Sequence, residues 1–205
     1  MNKKIVITII AILFLTSPLP AAEEASITSM DGKANVLREG QTLPARTGMP
    51  LKTGDAIQTE DGSTVDFSMN AVAGGRVLPS SESVITDGKS ESMKINVTSG
   101  KILLNLDKIP AKSTFRVETP TAVAVVRGTQ FSVQVDTLNI NNPTSSFAVR
   151  DGNIEVFLPS MNETFNLGQG QAIDIPKDLV RPPTIRQAAG NELRSLEQTS
   201  LVKTC

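Results

Sequence analysis

Apolar and polar residues alternate along most of this chain of 205 residues, and glycine-containing turns separate the alternating runs. The clearest runs are Val65–Asn70, Phe115–Val117, Phe131–Val135 and Ile154–Val156. A period of two is typical of strands that turn one face to a core. The turn dipeptides are Asp31–Gly32, Asp61–Gly62, Asp87–Gly88 and Asp151–Gly152. Because glycine accepts the positive φ of tight turns, the pattern predicts an all-β protein of short strands.

A weaker motif accompanies the alternation, in which glycine precedes apolar residues two and four positions later. Its copies are Gly32–Val36, Gly100–Leu104 and Gly152–Val156, with partial copies at Gly75 and Gly170. The copies are unevenly spaced, whereas solenoid repeats recur at a fixed period. We therefore expect an irregular β-roll or sandwich, with a short β-helix-like stack as the alternative.

The N-terminus has the composition of an export signal. Two lysines precede the uncharged run Ile5–Leu15, and two prolines and Ala21–Ala22 follow it. This pattern predicts a secretory signal peptide over residues 1–22 and an exported mature chain. The apolar run is shorter than the roughly 20 residues of a membrane helix, so no stable span is expected after cleavage. An uncleaved anchor is the alternative, because a cut after Ala22 puts Pro20 where a small residue is usual.

Composition excludes several function classes. The chain contains no histidine, tryptophan or tyrosine, which removes the commonest general base and the usual stacking platforms for sugars and bases. We find no paired carboxylates and no nucleophile–base set, so we expect no enzyme and no cofactor. Asp55, Glu60 and Asp61 surround a turn without the spacing of a calcium loop, so no metal site is expected.

Charge argues against nucleic acid as a partner. Loss of residues 1–22 removes Lys3 and Lys4 and changes the formal net charge from −1 to −3. No basic surplus remains for phosphate binding. The single cysteine, Cys205, is the last residue, so the fold depends on its core and not on an internal disulfide.

The length suits one β domain, over residues 23–176, followed by a proline-containing linker and helical tail over residues 177–205. Apolar residues recur at helical spacing in the tail, at Ile185, Ala189, Leu193 and Leu196. The spacing predicts a short amphipathic helix over about 184–199. We expect it to dock on the domain or to fray, and docking of a partner is the alternative.

Arg127 is the one charged residue in a long apolar stretch. If alternation ran unbroken, Arg127 would share an inward face with Val125 and Phe131. Burial of an unpaired guanidinium is costly, so either a carboxylate meets it or a bulge at Gly128 turns it outward. A structural role is favoured over anion binding at such a bulge.

The carboxylates that could pair with Arg127 are Asp55, Glu118 and Asp151, and Asp55 is preferred because it follows Gly54 in a second motif-like step. A structural role predicts that Arg127→Ala sharply lowers thermal stability. Thr119–Pro120 is a simpler signal, since proline removes a ladder donor and holds the preceding residue extended. This pair is expected at the start or edge of a strand.

Taken in order, these features resemble the FecR family over about residues 27–176. The matching segments are Gly32–Val36, Leu51–Thr59, Gly100–Ile102, Phe115–Pro120, Val126–Phe131, Gly152–Val156 and Gly168–Gln171. The resemblance gives these motif residues, for which we expect structural roles: Gly54, Asp55, Thr119, Pro120, Arg127, Gly128, Thr129, Phe131 and Gly152.

The resemblance implies a periplasmic sensor domain that receives a signal from an outer-membrane transporter. It favours a non-catalytic binding or signalling module that docks an envelope protein, such as the periplasmic domain of an outer-membrane receptor. The alternative is a glycan- or peptidoglycan-binding module, disfavoured by the missing tryptophan and tyrosine. Well-known family members carry a cytoplasmic segment that contacts a sigma factor, but four residues precede the apolar run here, so no such contact is expected.

Overall fold

The computed structural model describes residues 25–107, 109–110 and 112–197, and in this part the chain is built almost entirely of strands, as the alternation predicts. The predicted signal peptide and Cys205 lie outside the described residues. In chain order the strands are β1 (Ala25–Asp31), β2 (Ala34–Arg38), β3 (Gln41–Pro44), β4 (Pro50–Leu51), β5 (Ala56–Thr59), β6 (Thr64–Met69), β7 (Ala73–Val77), β8 (Glu82–Lys89), β9 (Ser92–Leu106), β10 (Thr114–Glu118), β11 (Val123–Val126), β12 (Gln130–Asp136), β13 (Thr144–Asp151), β14 (Ile154–Leu158), β15 (Glu163–Leu167), β16 (Gln171–Pro176) and β17 (Arg186–Gln187). One helix, α1 (Gly190–Glu197), follows them.

The strands form an open, mixed sheet with two layers. Hydrogen-bonded neighbours in the first layer follow the order β4-β1-β6-β7-β9-β12-β13-β16-β17. The second layer follows the order β3-β2-β5-β8-β9-β10-β11-β14-β15. The pairing of β9 with β10 is parallel, and the other pairings are antiparallel. The chain thus passes repeatedly between layers, as in the expected β-roll.

β9 belongs to both layers. Residues 92–99 pair with β8 in the second layer, and residues 100–106 pair with β7 and β12 in the first. The change occurs at Gly100, whose φ is +76°. A Cβ at this position would lie 2.1 Å from Oγ of Ser81, so only glycine fits there. The same Oγ accepts a 2.8 Å hydrogen bond from the backbone N–H of Lys101.

The other full copies of the glycine motif have a similar geometry. Gly32 has a φ of +77° between β1 and β2, and Oγ of Ser63 accepts a 2.9 Å hydrogen bond from the following N–H. Gly152 has a φ of +85° between β13 and β14. Each glycine therefore marks a place where the chain changes layer beside a serine or threonine hydroxyl. The partial copy at Gly75 differs, because Gly75 lies inside β7 against the ring of Phe67.

A single hydrophobic core lies between the layers. Four phenylalanines, Phe67, Phe115, Phe131 and Phe147, are among its largest fully buried side chains, and both layers contribute to it. Each such burial stabilises the fold by about 1.5–3 kcal/mol relative to an exposed side chain. The apolar faces of the alternating runs, predicted to point inward, therefore pack in this core.

Two local expectations were wrong. Asp87–Gly88 is not a turn: it lies inside β8, where the register with β9 shifts between Ile85 and Asp87. The tail helix begins later than residue 184, because Arg186–Gln187 pairs with β16 as a strand. The helix begins after Ala189, whose N–H donates to the carboxylate of Glu192 at 2.6 Å, half of a capping box.

α1 packs on the outer face of the first layer, against β9, β12 and β13. Leu196 is fully buried there, and its carbonyl accepts a hydrogen bond from Nε2 of Gln130 at 2.8 Å. Arg186 joins the helix to the sheet through salt bridges to Asp174 and Glu192. Burial lowers the pKa of Lys101, whose Nζ donates to Oγ of Ser195 at 3.2 Å. The part of the chain described here contains no helix long and apolar enough to cross a bilayer.

Candidate functional site

Arg127 lies where the chain leaves the second layer for the first. β11 ends at Val126 and β12 begins at Gln130, and Gly128 between them has a φ of +71°. Alternation changes phase across this crossing, because Ala124 and Val126 are buried before it and Phe131 is buried after it. Arg127 therefore does not share the inward face of Phe131, and its side chain is exposed.

Two of the three expected partners of Arg127 are paired elsewhere, and the third, Asp151, forms no ion pair with it, so the pairing hypothesis was wrong. Asp55 is paired with Arg38 and Glu118 with Lys94, the latter at 3.1 Å. Within the described residues, Arg127 itself makes no hydrogen bond or salt bridge. Its guanidinium is thus available to a ligand or partner.

Three motif residues near Arg127 form a tight backbone contact. Thr129, only 2% exposed, donates from Oγ1 to the carbonyl of Asn153 at 2.8 Å. A Cβ on Gly152 would lie 2.8 Å from the carbonyl oxygen of Gly128 and 2.9 Å from Oγ1 of Thr129. Gly128 and Thr129 thus contact Gly152, which is distant in sequence, and this contact fixes the backbone beside Arg127.

A cleft of about 230 Å³ opens beside this contact, lined by Val125, Arg127, Asn153 and Glu155. Strand register explains the set: Val125 is paired with Glu155 and Val126 with Ile154, and Arg127 and Asn153 are the next residues beyond this last pair. Directly opposed residues have Cβ atoms about 4.5–5.5 Å apart. Two side chains from the β11 segment and two from the β14 segment therefore line the outward face.

The cleft contains two side chains of opposite charge that form no ion pair with each other. Arg127 and Glu155 are both exposed, and neither forms an ion pair in the part of the chain that the structure describes. Asn153 adds an amide and Val125 an apolar wall. Sequence reasoning missed Asn153 and Glu155; the signal for them was the alternating Asn-x-Glu after Gly152, which needs the register of β11 with β14 to be useful.

The remaining motif residues lie apart from this cleft. Gly54 has a φ of +95°, and its N–H donates to the carbonyl of Ile85 at 2.7 Å beside the buried Asp55. Thr119 and Pro120 form the β10–β11 turn, where the N–H of Thr119 donates to the carbonyl of Ala122 at 2.9 Å. Phe131 belongs to the core. Among the residues described, no group of acidic or cysteine side chains is arranged to hold a metal ion.

The second layer also presents an open strand edge near the cleft. At the other ends of the layers, β4 and β17 have two residues each, and β3 ends in Pro44. β15 has five residues and pairs with β14 without a register shift, and no described strand pairs with its outer edge. It contains neither proline nor lysine, the residues that commonly protect such edges.

Comparison with known proteins places this fold. Two crystal structures, at 1.65 and 2.50 Å resolution, described as a "putative anti-sigma factor from Parabacteroides distasonis ATCC 8503", each superpose with a TM-score of 0.58 at 16% identity. The alignment covers 70% of this chain but only 64% of that chain, and at such identity it shows a shared fold alone. Curated protein sequences include no match.

A family model described as FecR protein matches residues 52–155, which is half of the chain. The matched segment contains Asp55, the β11–β12 crossing and all four residues that line the cleft. It agrees with the resemblance noted from the sequence motifs. The chain belongs to the FecR protein family, a family of signalling proteins.

Proposed function

We propose that this protein is an exported, periplasmic and non-catalytic signalling module that docks another envelope protein by strand addition at β15. Membership in the FecR family supports a signalling role. The composition of residues 1–22 supports export. The open edge of β15 is the observation that carries the docking mode.

Strand addition suits β15 because its outer backbone groups have no partner strand among the described residues. Backbone hydrogen bonds supply affinity in this mode, and alternate side chains supply specificity. Thr164 and Asn166 are exposed along β15. Asn166 is also paired with Glu155, so a strand bound at this edge would lie beside the cleft.

In-cell photocrosslinking tests the docking mode. A photoreactive residue at Thr164 is compared with one at Thr42, an exposed threonine on the β3 edge of the same layer. We expect one dominant envelope protein to be captured from Thr164 and not from Thr42. With the photoreactive residue at position 164, the additional substitution Asn166→Lys should strongly reduce capture while leaving the fold intact, because a lysine on an edge opposes strand pairing.

Equal capture from Thr42 and Thr164 would contradict docking at β15. Capture of peptidoglycan fragments without a protein would favour the glycan-binding alternative. Export is tested separately by sequencing the N-terminus of the mature protein, where an intact Met1 would contradict cleavage of the signal peptide.

A further inference from the structure

We propose that the cleft lined by Val125, Arg127, Asn153 and Glu155 binds a zwitterionic end group: a C-terminal amino-acid residue that carries both a free carboxylate and an ammonium group. The inference goes beyond docking at β15 and assigns a small ligand to the domain. It depends on the two unpaired, opposite charges in one cleft.

Arg127 is suited to the carboxylate. A guanidinium presents its donors as a planar fork that matches the two oxygens of a carboxylate. No described residue competes for these donors, and Asn153, which also lines the cleft, can donate a further amide hydrogen. Glu155 is paired with Val125, two residues before Arg127, so the two charges are diagonal neighbours in sequence order along the ladder and not directly opposed. Diagonal neighbours are about 7–8 Å apart, with their Cβ atoms somewhat closer, so a ligand can contact both charges.

The charge pair selects against ligands with one charge. A simple anion would be attracted by Arg127 but repelled by Glu155. A simple cation would be attracted by Glu155 but repelled by Arg127. A ligand with both charges is attracted by both side chains. The cleft volume of about 230 Å³ is below the roughly 300–1,000 Å³ of sites for drug-sized ligands, so it suits one residue at the end of a chain.

The backbone beneath the site is fixed before a ligand arrives. β11 and β14 carry the lining residues on a paired ladder. The contact of Gly152 with Gly128 and the hydrogen bond from Thr129 to Asn153 hold the backbone beside them. A preorganised backbone reduces the entropy that binding must overcome, which favours a small ligand with few contacts.

Titration of the purified, isotope-labelled protein, followed by backbone NMR shifts, tests this site with three probes. The first is N-acetyl-alanyl-lysine, with a free carboxylate and an ammonium group. The second is its C-terminal amide, and the third is N-acetyl-alanyl-norleucine. We expect the first to shift residues of the cleft saturably, and each singly charged probe to bind about threefold to tenfold more weakly.

Two variants assign the charges. Arg127→Gln should remove the preference for the acid over the amide, and Glu155→Gln should remove the preference for lysine over norleucine. Arg46→Gln, at an exposed arginine outside the cleft, should change neither preference. Equal binding of all three probes, shifts away from the cleft, or an equal effect of Arg46→Gln would overturn the proposal. Because the probes contain no strand-forming segment, this result is independent of docking at β15.

Discussion

Arg38 binds the buried carboxylate of Asp55 through two nitrogens, with Nε donating to Oδ1 at 2.8 Å and Nη2 donating to Oδ2. Asp55 is only 1% exposed and also accepts a hydrogen bond from the N–H of Lys52 at 2.7 Å. The bond to Asp55 raises the pKa of the Arg38 guanidinium. The pair ties the end of β2 to the turn before β5.

Asp55→Ala should therefore destabilise the domain by about 2–4 kcal/mol, because the half-buried Arg38 and the N–H of Lys52 lose their acceptor. Chemical denaturation measures the change. Asp61→Ala, at an exposed aspartate in the next turn, is the control and should change stability by less than about 0.5 kcal/mol. Similar losses in both variants would contradict the special role of the pair.

Gly152→Ala should also be strongly destabilising, by about 2–3 kcal/mol, since it combines strain at positive φ with a close approach to Gly128. Gly48→Ala separates the two causes. Gly48 has a φ of +79° but open space around an added Cβ, so only the backbone strain of about 1 kcal/mol is expected. Thermal unfolding of both variants provides the comparison, and equal losses would exclude the steric contribution.

Acid should release α1 before the sheet unfolds. Hydrogen bonds from Arg186 lower the pKa values of Asp174 and Glu192 in the folded protein. Their stabilisation is therefore present above the unfolded pKa values of about 3.9 and 4.3, and is lost as pH falls through the lower folded values. Hydrogen exchange, corrected for intrinsic rates, should show α1 losing protection at about pH 3 relative to about pH 6 while β9 stays protected.

Arg186→Gln supplies the control for this acid response. Without the guanidinium, α1 should be less protected at neutral pH and should depend less on acid. Arg181→Gln, at an exposed arginine, should retain the wild-type response. An undiminished acid response in Arg186→Gln would show that other groups control the helix.

Arg127→Ala should leave the melting temperature within about 2 °C of the wild type, because the exposed guanidinium has no partner to lose. The sequence alone predicted a sharp decrease. A large loss of stability would restore the structural role and would argue against the cleft as a ligand site.

Local patterns predicted the strands well, because the alternation of apolar and polar residues indicates which side chain in each strand is buried. Val65, Phe67 and Met69 are all buried in β6, and the Phe131–Val135 run turns the expected face to the core. The full copies of the glycine motif lie at positions of positive φ, but the motif did not reveal that the chain changes layer there. Only the three-dimensional path shows why a hydroxyl meets Gly100.

Relationships between distant residues were beyond a single sequence. Arg38 precedes Asp55 by 17 residues, and no local pattern joins them. The crossing at Gly128 reverses the phase of alternation, so extrapolation through Arg127 placed its side chain on the wrong face. Glu155 reaches the cleft solely through the register of β14 with β11.

β9 has a further consequence for the way the domain comes apart. It is hydrogen-bonded to β8 and β10 in one layer and to β7 and β12 in the other. The two halves of β9 are continuous through Gly100, and the layers enclose one hydrophobic core, so we expect them to unfold together as one cooperative unit. We consequently expect a protease cut near Gly100 to destabilise both layers, because it would separate the two β9 segments that join them.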